Sequence, residues 1–300
     1  MFTEQSYGNV TVLRADNGGV LPYGNSVLVR GSDRNLLVDP SLSVQEAVLA
    51  GTDLPVDAVL VSHAHEDHIG GLRFFDVPRY VHHLDRPAVA SLEALLDGYG
   101  LDADAREQLH TSFVETFHLP ETHDNVDGID DGFTLDLGDR TATVIHLPGH
   151  TAGHCGLVIE PDGFFYVADI DLSSFGPMYG DLGSSLESFL TSLDLAGSID
   201  ARWYGTFHHK GVVAGATEFR KRLAGFRHRI VEREERLLAF LAEPRTLDEI
   251  VAHRLVYRPH VDAPYVDAVE RRTAELHLAR LIAQDRVMAP EPGRYRGNGS

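Results

Sequence analysis

The stretch Asp57-Ala58-Val59-Leu60-Val61-Ser62-His63-Ala64-His65-Glu66-Asp67-His68 decides the fold. Residues 57–62 are a short apolar run, typical of a buried strand in an α/β protein. Residues 63–68 follow at once with the pattern H-x-H-x-D-H. Because α/β folds place ligands at the carboxyl ends of their strands, we expect this hexapeptide to form part of a functional site.

The residue types of the hexapeptide indicate metal binding. Two histidines two residues apart in an extended turn point to the same side, whereas Asp67 and His68 begin the next turn and face a neighbouring point. Imidazole and carboxylate ligands suit Zn(II), with Fe(II) or Mn(II) as alternatives. A loop that directs ligands to two points can hold two divalent ions about 3.5–4 Å apart.

Other segments supply further candidate ligands. His150 lies in the loop Leu147-Pro148-Gly149-His150-Thr151, and Asp169 closes the predicted strand 164–168. A later predicted strand, 201–207, ends at His208 and His209, and either one is a candidate for the last ligand. Asp39, which closes the predicted strand 36–38, is the candidate to hold a ligand histidine from behind.

The charge of the chain is uneven. Residues 1–200 contain 8 Lys and Arg against 32 Asp and Glu, whereas residues 201–300 contain 18 against 13. This difference predicts a domain boundary near residue 210. The acidic part should repel polyanions, which counts against nucleic acid as the main partner.

Cysteine usage and hydropathy indicate the cellular setting. Cys155 is the only cysteine, and the first residues lack the basic start and apolar run of a signal peptide. No segment has about 18 consecutive apolar residues. We therefore expect a cytoplasmic protein without a membrane span.

The coarse pattern predicts two domains, residues 1–212 and 213–300. Strands and helices alternate in the first, and residues 84–131 form a helical insertion that we expect to act as a lid, with an apolar wall of Leu84, Leu92, Leu95 and Leu96. In the second, a long helix over 214–242, a capping box at Thr246–Glu249, a helix over 264–284 and a ribbon over 286–296 resemble a winged-helix module.

The order of these motifs resembles the metallo-β-lactamase superfamily over residues 8–215. The resemblance implies an αββα sandwich, followed here by the small C-terminal helical, winged-helix-like domain. It implies that His63, His65 and His150 bind one metal. Asp67, His68 and the last histidine would bind the other, with Asp169 bridging the two.

The resemblance also bears on the open choice between His208 and His209. In the branch that the chain most resembles, the last strand runs into Pro-Gly-His-Gly-Pro-Val-Ile, and alignment on residues 207–213 favours His209 over His208. The histidine at position 65 favours the hydrolytic branches over the di-iron redox branch.

The expected function is metal-dependent hydrolysis of an ester, thioester, lactone or similar small acyl substrate by a metal-bridging hydroxide. Asp67 would be the catalytic residue that orients this nucleophile. The alternatives are a phosphodiesterase or ribonuclease of the same superfamily and a mononuclear-iron sulfur dioxygenase. A small-molecule substrate is the expected partner, with nucleic acid less favoured and homodimerisation through the C-terminal region also open.

Overall fold

Two β-sheets packed face to face form the frame of the protein in a computed structural model, which describes residues 1–298. The first sheet has seven strands in sequence order, antiparallel from β1 to β4 and parallel from β4 to β7. Its strands are β1 (Phe2–Tyr7), β2 (Val10–Ala15), β3 (Ser26–Arg30), β4 (Asn35–Val38), β5 (Ala58–Val61), β6 (Arg79–His82) and β7 (Val126–Ile129).

The second sheet has six strands, also in sequence order. Its strands are β8 (Thr134–Asp136), β9 (Thr141–His146), β10 (Cys155–Glu160), β11 (Phe164–Tyr166), β12 (Trp203–Gly205) and β13 (Val212–Ala214). Neighbouring strands are antiparallel except β11 and β12, which are parallel. The carboxyl ends of β11 and β12 therefore lie side by side.

Alternating side chains of these strands fill separate apolar layers. Leu36 and Val38 point into the core between the sheets, whereas Leu37 packs in the layer on the outer face of the first sheet. In the second sheet, Phe164 points inward and Phe165 outward. Because both faces of each sheet are covered there, central strands such as β5 and β11 are buried along their whole length instead of alternating with exposed polar residues.

Helices cover the outer faces and complete the αββα arrangement predicted from the sequence. The first sheet is covered by α1 (Leu42–Leu49), α2 (Glu66–Ile69), a 3₁₀ helix (Leu72–Phe74), α3 (Arg86–Ala90), α4 (Leu92–Gly98) and α5 (Ala103–Glu115). The second is covered by α6 (Leu186–Ser198) and the first half of α7 (Ala216–Phe240).

Residues 84–131 form the three helices α3 to α5 and also the edge strand β7, which the sequence did not predict. Leu84 is exposed and does not line the cavity described below. Leu92, Leu95 and Leu96 are buried in the outer layer of the first sheet and do not line it either. Of this segment only Tyr99 reaches that cavity. Three of the four leucines expected in an apolar wall are therefore part of the core, and the role of the segment as a lid stays a prediction.

The C-terminal region contains α8 (Leu247–His253), α9 (Val266–Ala283) and a small sheet in the order β14 (Arg245–Thr246), β16 (Arg294–Gly297), β15 (Val287–Glu291). The capping box is present, with the Thr246 side chain and the Glu249 side chain each bonded to the other's backbone N–H. These elements share an apolar cluster with the end of α7. The boundary at 212 and the likeness to a winged helix stay predictions.

Among the described residues, no helix has the length and apolar character needed to cross a membrane.

Candidate metal centre

Five histidines and two aspartates meet where several strands end at one edge of the sandwich. His63 follows β5, and His65 and Asp67 lie at the start of α2. His150 lies between β9 and β10, Asp169 follows β11, and His208 follows β12. Strand ends that are far apart in sequence thus bring these side chains together.

The first group consists of His63, His65, His150 and Asp169. The Nε2 atom of His63 lies 3.0 Å from Nδ1 of His65 and 3.1 Å from Nε2 of His150. The same His150 atom lies 3.1 Å from His65 Nδ1 and 3.3 Å from Oδ2 of Asp169. Three ring nitrogens and a carboxylate therefore converge on one point, an arrangement that suits a four-coordinate cation.

The second group consists of Asp67, His68 and His208. His208 Nε2 lies 3.1 Å from Oδ2 of Asp67, and His68 Nε2 lies 3.1 Å from Oδ1 of Asp169. Asp169 Oδ2 faces the first group and lies 3.7 Å from His208 Nε2. Asp169 thus contacts both groups.

The structure places the side chains of His208 and His209 in different surroundings. The His209 side chain is 41% exposed, and its nearest carboxylate is that of Asp171, 4.0 Å away. β12 ends at Gly205, and His209 has a positive φ of 53°, so the chain turns there and directs the two rings to different places. Of the two candidates, His208 is the one that lies in the cluster, contrary to the choice that the sequence alignment favoured.

The outward-facing nitrogens of the histidines are held by other parts of the chain. His65 Nε2 lies 2.8 Å from the Asp181 carboxylate, and His150 Nδ1 donates to the carbonyl oxygen of Met178 at 2.9 Å. His208 Nδ1 donates to the carbonyl of Gly19 at 2.9 Å. Such bonds fix the tautomer and the orientation of a ligand imidazole.

Asp39 does the same for His68, as the sequence suggested. It is fully buried, and its Oδ2 lies 2.9 Å from His68 Nδ1. The Ser62 hydroxyl and the Tyr166 hydroxyl both donate to the same oxygen at 2.7 Å, and the Ser62 N–H donates to Oδ1 at 2.6 Å. The carboxylate is therefore surrounded by four donors.

The surroundings of the site favour the neutral form of one histidine and the charged form of two others. Burial and the neighbouring histidines hold the pKa of His63 well below its usual range. Burial also opposes the charged form of His65 and His208, but the Asp181 and Asp169 carboxylates, respectively, outweigh it and raise each pKa to about 9. Without a metal, protons on His65 and His208 would supply the positive charge that the neighbouring carboxylates require.

The chain matches the description "Metallo-beta-lactamase superfamily" over residues 19–209. The chain belongs to the metallo-beta-lactamase superfamily. Members of this superfamily are metal-dependent hydrolases, and the predicted fold class and hydrolase assignment are thereby confirmed.

Individual relatives agree with this assignment. The "Beta-lactamase-like protein 2 homolog" of Caenorhabditis elegans is 24% identical over 91% of this chain and 82% of its own length. The "Acyl-coenzyme A thioesterase MBLAC2" of Gallus gallus is 31% identical over 43% of this chain and half of its own length. A metallo-beta-lactamase family protein from Thermus thermophilus has the same fold, with a TM-score of 0.72, 23% identity, and coverage of 97% of this chain and 99% of its own.

The metallo-beta-lactamase site contains supporting residues that the sequence did not reveal. His154 is fully buried; its Nδ1 donates to the carbonyl of Leu147, and its Nε2 accepts from the Asp169 N–H. Burial lowers the pKa of His154 to about 3, so the ring remains neutral. Asp85 accepts from Ala64 N–H and Thr151 Oγ and so joins the first two histidine-bearing loops.

A cavity of about 250 Å³ opens over the metallo-beta-lactamase site. Its floor includes His65, Asp67, His150, Asp169 and His208. Its walls are largely apolar. Phe175 and Met178 come from the segment after Asp169, Tyr257, Tyr265 and Val269 come from the C-terminal region, and Leu21 and Tyr99 come from two other parts of the chain. Polar groups at the base of an apolar cavity are typical of a small-molecule site.

Proposed function

We propose that this protein is a dinuclear metal-dependent hydrolase that cleaves thioesters of small acyl groups. The single observation that carries the proposal is the pair of ligand groups, which Asp169 connects and which lie at the base of an apolar cavity. One metal would be held by His63, His65 and His150. The other would be held by the second group, with Asp169 between the two ions.

Unpaired polar atoms support the presence of cations at this site. Asp67 Oδ2 lies 3.1 Å from His208 Nε2, and Asp169 Oδ1 lies 3.1 Å from His68 Nε2, but neither contact has the geometry of a hydrogen bond. Among the described residues, the buried atoms Asp67 Oδ2, His68 Nε2 and Asp169 Oδ1 therefore make no hydrogen bond. A buried polar atom without a partner costs about 1–3 kcal/mol, which a bound ion would remove. The donor set fits Zn(II), and Fe(II) or Mn(II) are the alternatives.

Two such ions, when bound, polarise the scissile carbonyl and make a water molecule acidic enough to act as a nucleophile near neutral pH. Asp67 is the residue of this chain best suited to accept the proton of the attacking water. Its side chain lines the cavity. Burial by itself would raise the pKa of Asp67, but His68 and His208 outweigh burial and lower it, so the carboxylate is ionised.

The preference for a thioester has two supports. A relative of this chain is an acyl-coenzyme A thioesterase, although the match spans only half of that protein. The aromatic and aliphatic walls of the cavity, among them Phe175, Tyr257 and Tyr265, offer an apolar surface for the acyl group. Hydrolysis of oxygen esters and lactones would use the same groups.

The cavity argues against a substrate that places several phosphate groups inside it. Five carboxylates line it, and no Lys or Arg is among its described lining residues; the carboxylates belong to Glu66, Asp67, Asp169, Asp171 and Asp181. Beyond the metal ligands, a phosphodiester backbone inside the cavity would meet Glu66, Asp171 and Asp181. Phosphodiester cleavage is therefore the second candidate, and mononuclear-iron oxidation of a sulfur compound uses only one of the two ligand groups.

The test is a metal analysis followed by a substrate panel. Protein purified without added metal is assayed for bound Zn, Fe and Mn, then for hydrolysis of an acyl-coenzyme A, an acyl-glutathione, a p-nitrophenyl ester and bis-p-nitrophenyl phosphate. We expect two metals per chain and the highest kcat/KM on a thioester. Loss of turnover on chelation and its return with Zn(II) would support the proposal.

A protein that holds two metals but cleaves only the phosphodiester would overturn the substrate class. A single iron per chain with oxygen consumption would overturn the hydrolytic assignment. The cytoplasmic location and the homodimer stay predictions; sedimentation of the full-length chain tests the latter.

A further inference from the structure

The segment 175–184, called here the site loop, touches two of the candidate ligand histidines from outside the metal cluster. The Asp181 carboxylate lies 2.8 Å from His65 Nε2, and the Met178 carbonyl accepts from His150 Nδ1 at 2.9 Å. The Ser184 hydroxyl also donates to the backbone carbonyl of His150 at 2.6 Å. The position of this loop therefore sets the orientation of both rings.

The site loop has no helix or strand of its own, so its shape must come from other contacts. Arg272, on α9, supplies several of them. Its Nε donates to the carbonyl of Asp181 at 3.2 Å, and its Nη2 donates to the carbonyls of Leu182 at 3.1 Å and Ser184 at 3.0 Å. The rigid guanidinium fork can hold three carbonyls at once, which an ammonium group on a flexible stem would not reproduce.

Arg233, on α7, holds the other half of the loop in the same way. It is only 2% exposed, and it donates to the carbonyls of Phe175, at 3.0 Å, and Pro177. It also donates to the Tyr179 hydroxyl at 2.9 Å. The carbonyl of Met178, which binds His150, lies between these anchored residues.

The two helices approach the loop closely at glycines. A Cβ atom at Gly180 would lie 2.5 Å from Val269 Cγ1 on α9, and one at Gly176 would lie 2.4 Å from Arg229 Cβ on α7. Gly176 also has a positive φ of 87°, which other residues rarely adopt. The loop is thus packed against both C-terminal helices with no room for larger side chains.

We infer that Arg272 and Arg233 are positioning residues for the first ligand group, acting through the site loop. By holding the loop they keep Asp181 and the Met178 carbonyl in place, and these in turn orient His65 and His150. The C-terminal helices would accordingly contribute to metal affinity although they provide no ligand. This inference rests on the metal site of the proposed function.

The experiment measures the affinity of the full-length protein for Zn(II) by competition with a chromogenic chelator. Arg272→Gln is compared with wild type and with Arg271→Gln, since Arg271 is the neighbouring residue on α9 and pairs at the surface with Asp248. Removing outer contacts of a metal ligand costs about 10–100-fold in affinity. We expect Arg272→Gln to weaken one Zn(II) about tenfold, with the other Zn(II), and both ions in Arg271→Gln, within about twofold of wild type.

A second comparison separates positioning from general stability. Asp181→Asn should weaken binding of the same Zn(II). The double variant Arg272→Gln/Asp181→Asn should have a Zn(II) affinity within about twofold of that of Asp181→Asn, because Arg272 acts on His65 through Asp181. Should Arg272→Gln fail to fold, Arg272→Lys carries the same test, with a loss of at least about threefold expected. Arg233→Lys tests the half of the loop that holds His150, and we again expect the affinity for one Zn(II) to fall at least about threefold.

Several results would overturn the inference. One is that the Arg272 and Arg233 variants bind both Zn(II) ions with affinities within twofold of wild type, even if the metal-free variants unfold at a lower temperature. Another is fully additive losses in the double variant. Wild-type protein that binds no Zn(II), Fe(II) or Mn(II) would overturn the proposed function and the inference together, whereas wild type with two ions and unaffected variants would overturn the inference alone.

Discussion

Replacing Asp39 by Asn tests whether the second ligand group depends on the buried carboxylate behind it. Oδ2 of Asp39 faces three donors, from Ser62 Oγ, Tyr166 Oη and His68 Nδ1, while Oδ1 faces the Ser62 N–H. An amide has one oxygen and one NH₂ group, so in either orientation the NH₂ points at a donor. The variant therefore keeps the volume of the side chain and loses its ability to satisfy all four donors.

The magnitude of the effect follows from these bonds. Leaving a buried donor unpaired costs about 1–3 kcal/mol of folding free energy. Loss of the contact to a ligand histidine costs about 10–100-fold in metal affinity, which corresponds to about 1.4–2.7 kcal/mol. In the metal-free protein, burial disfavours protonated His68, but Asp39 and the nearby carboxylates hold its pKa well above the usual range. Removal of the charge should lower that pKa.

Chelator competition gives the Zn(II) affinities, and urea unfolding of the metal-free protein gives the stability. The matched control is Asp57→Asn. Asp57 accepts a hydrogen bond from the Asn35 N–H at 2.8 Å near the opposite end of β5, so its replacement should leave both Zn(II) affinities within about twofold of wild type. If Asp39→Asn also kept both ions at wild-type affinity, Asp39 would not hold the His68 ligand in the way described.

Three further predictions follow from particular residues. His208→Ala should weaken one Zn(II) more than about tenfold in a chelator competition, while His209→Ala should leave both ions unchanged; the reverse result would restore His209 as the ligand. Tyr265→Ala should raise KM for a long-chain acyl thioester more than for an acetyl thioester, because Tyr265 lines the apolar part of the cavity. Burial lowers the pKa of folded His123 to about 4, so the unfolded chain binds a proton below about pH 6.5 that the folded chain refuses. Stability should fall as the pH drops from about 6.5 to 4, by about 2 kcal/mol between pH 7 and 5, and His123→Gln should remove that part of the slope in urea titrations.

The sequence predicted the part of the site that is local in the chain. His63 to His68 follow directly from one buried strand, and the loop around His150 and the end of the strand before Asp169 are marked by short-range patterns. The sequence alignment favoured His209, whereas the structure brings His208 to the cluster, because the outcome depends on where β12 ends and on the left-handed backbone at His209. Neither feature has a periodic signal in the sequence.

Other contacts could not be predicted because nothing local marks them. Asp181 lies 116 residues from His65, in a glycine-containing segment without regular structure. β7 spans only Val126–Ile129 and includes a glycine, so it lacks the pattern of a strand and forms through pairing with β6.

The predicted boundary at residue 212 can be tested, because side chains of the C-terminal region pack across it. The first half of α7 places four large apolar side chains, those of Phe219, Leu223, Phe226 and Ile230, in the layer that covers the second sheet. At about 1.5–3 kcal/mol for each buried side chain, their removal costs about 6–12 kcal/mol, comparable to the whole stability of a typical domain of about 5–15 kcal/mol. A fragment ending at residue 212 would also lose Arg272 and the wall formed by Tyr257 and Tyr265. We therefore expect this fragment to be insoluble or to lack cooperative unfolding, as judged by circular dichroism and urea titration. A 1–212 fragment that unfolds cooperatively and binds two Zn(II) ions with wild-type affinity would show instead that the metal site is complete without the C-terminal helices.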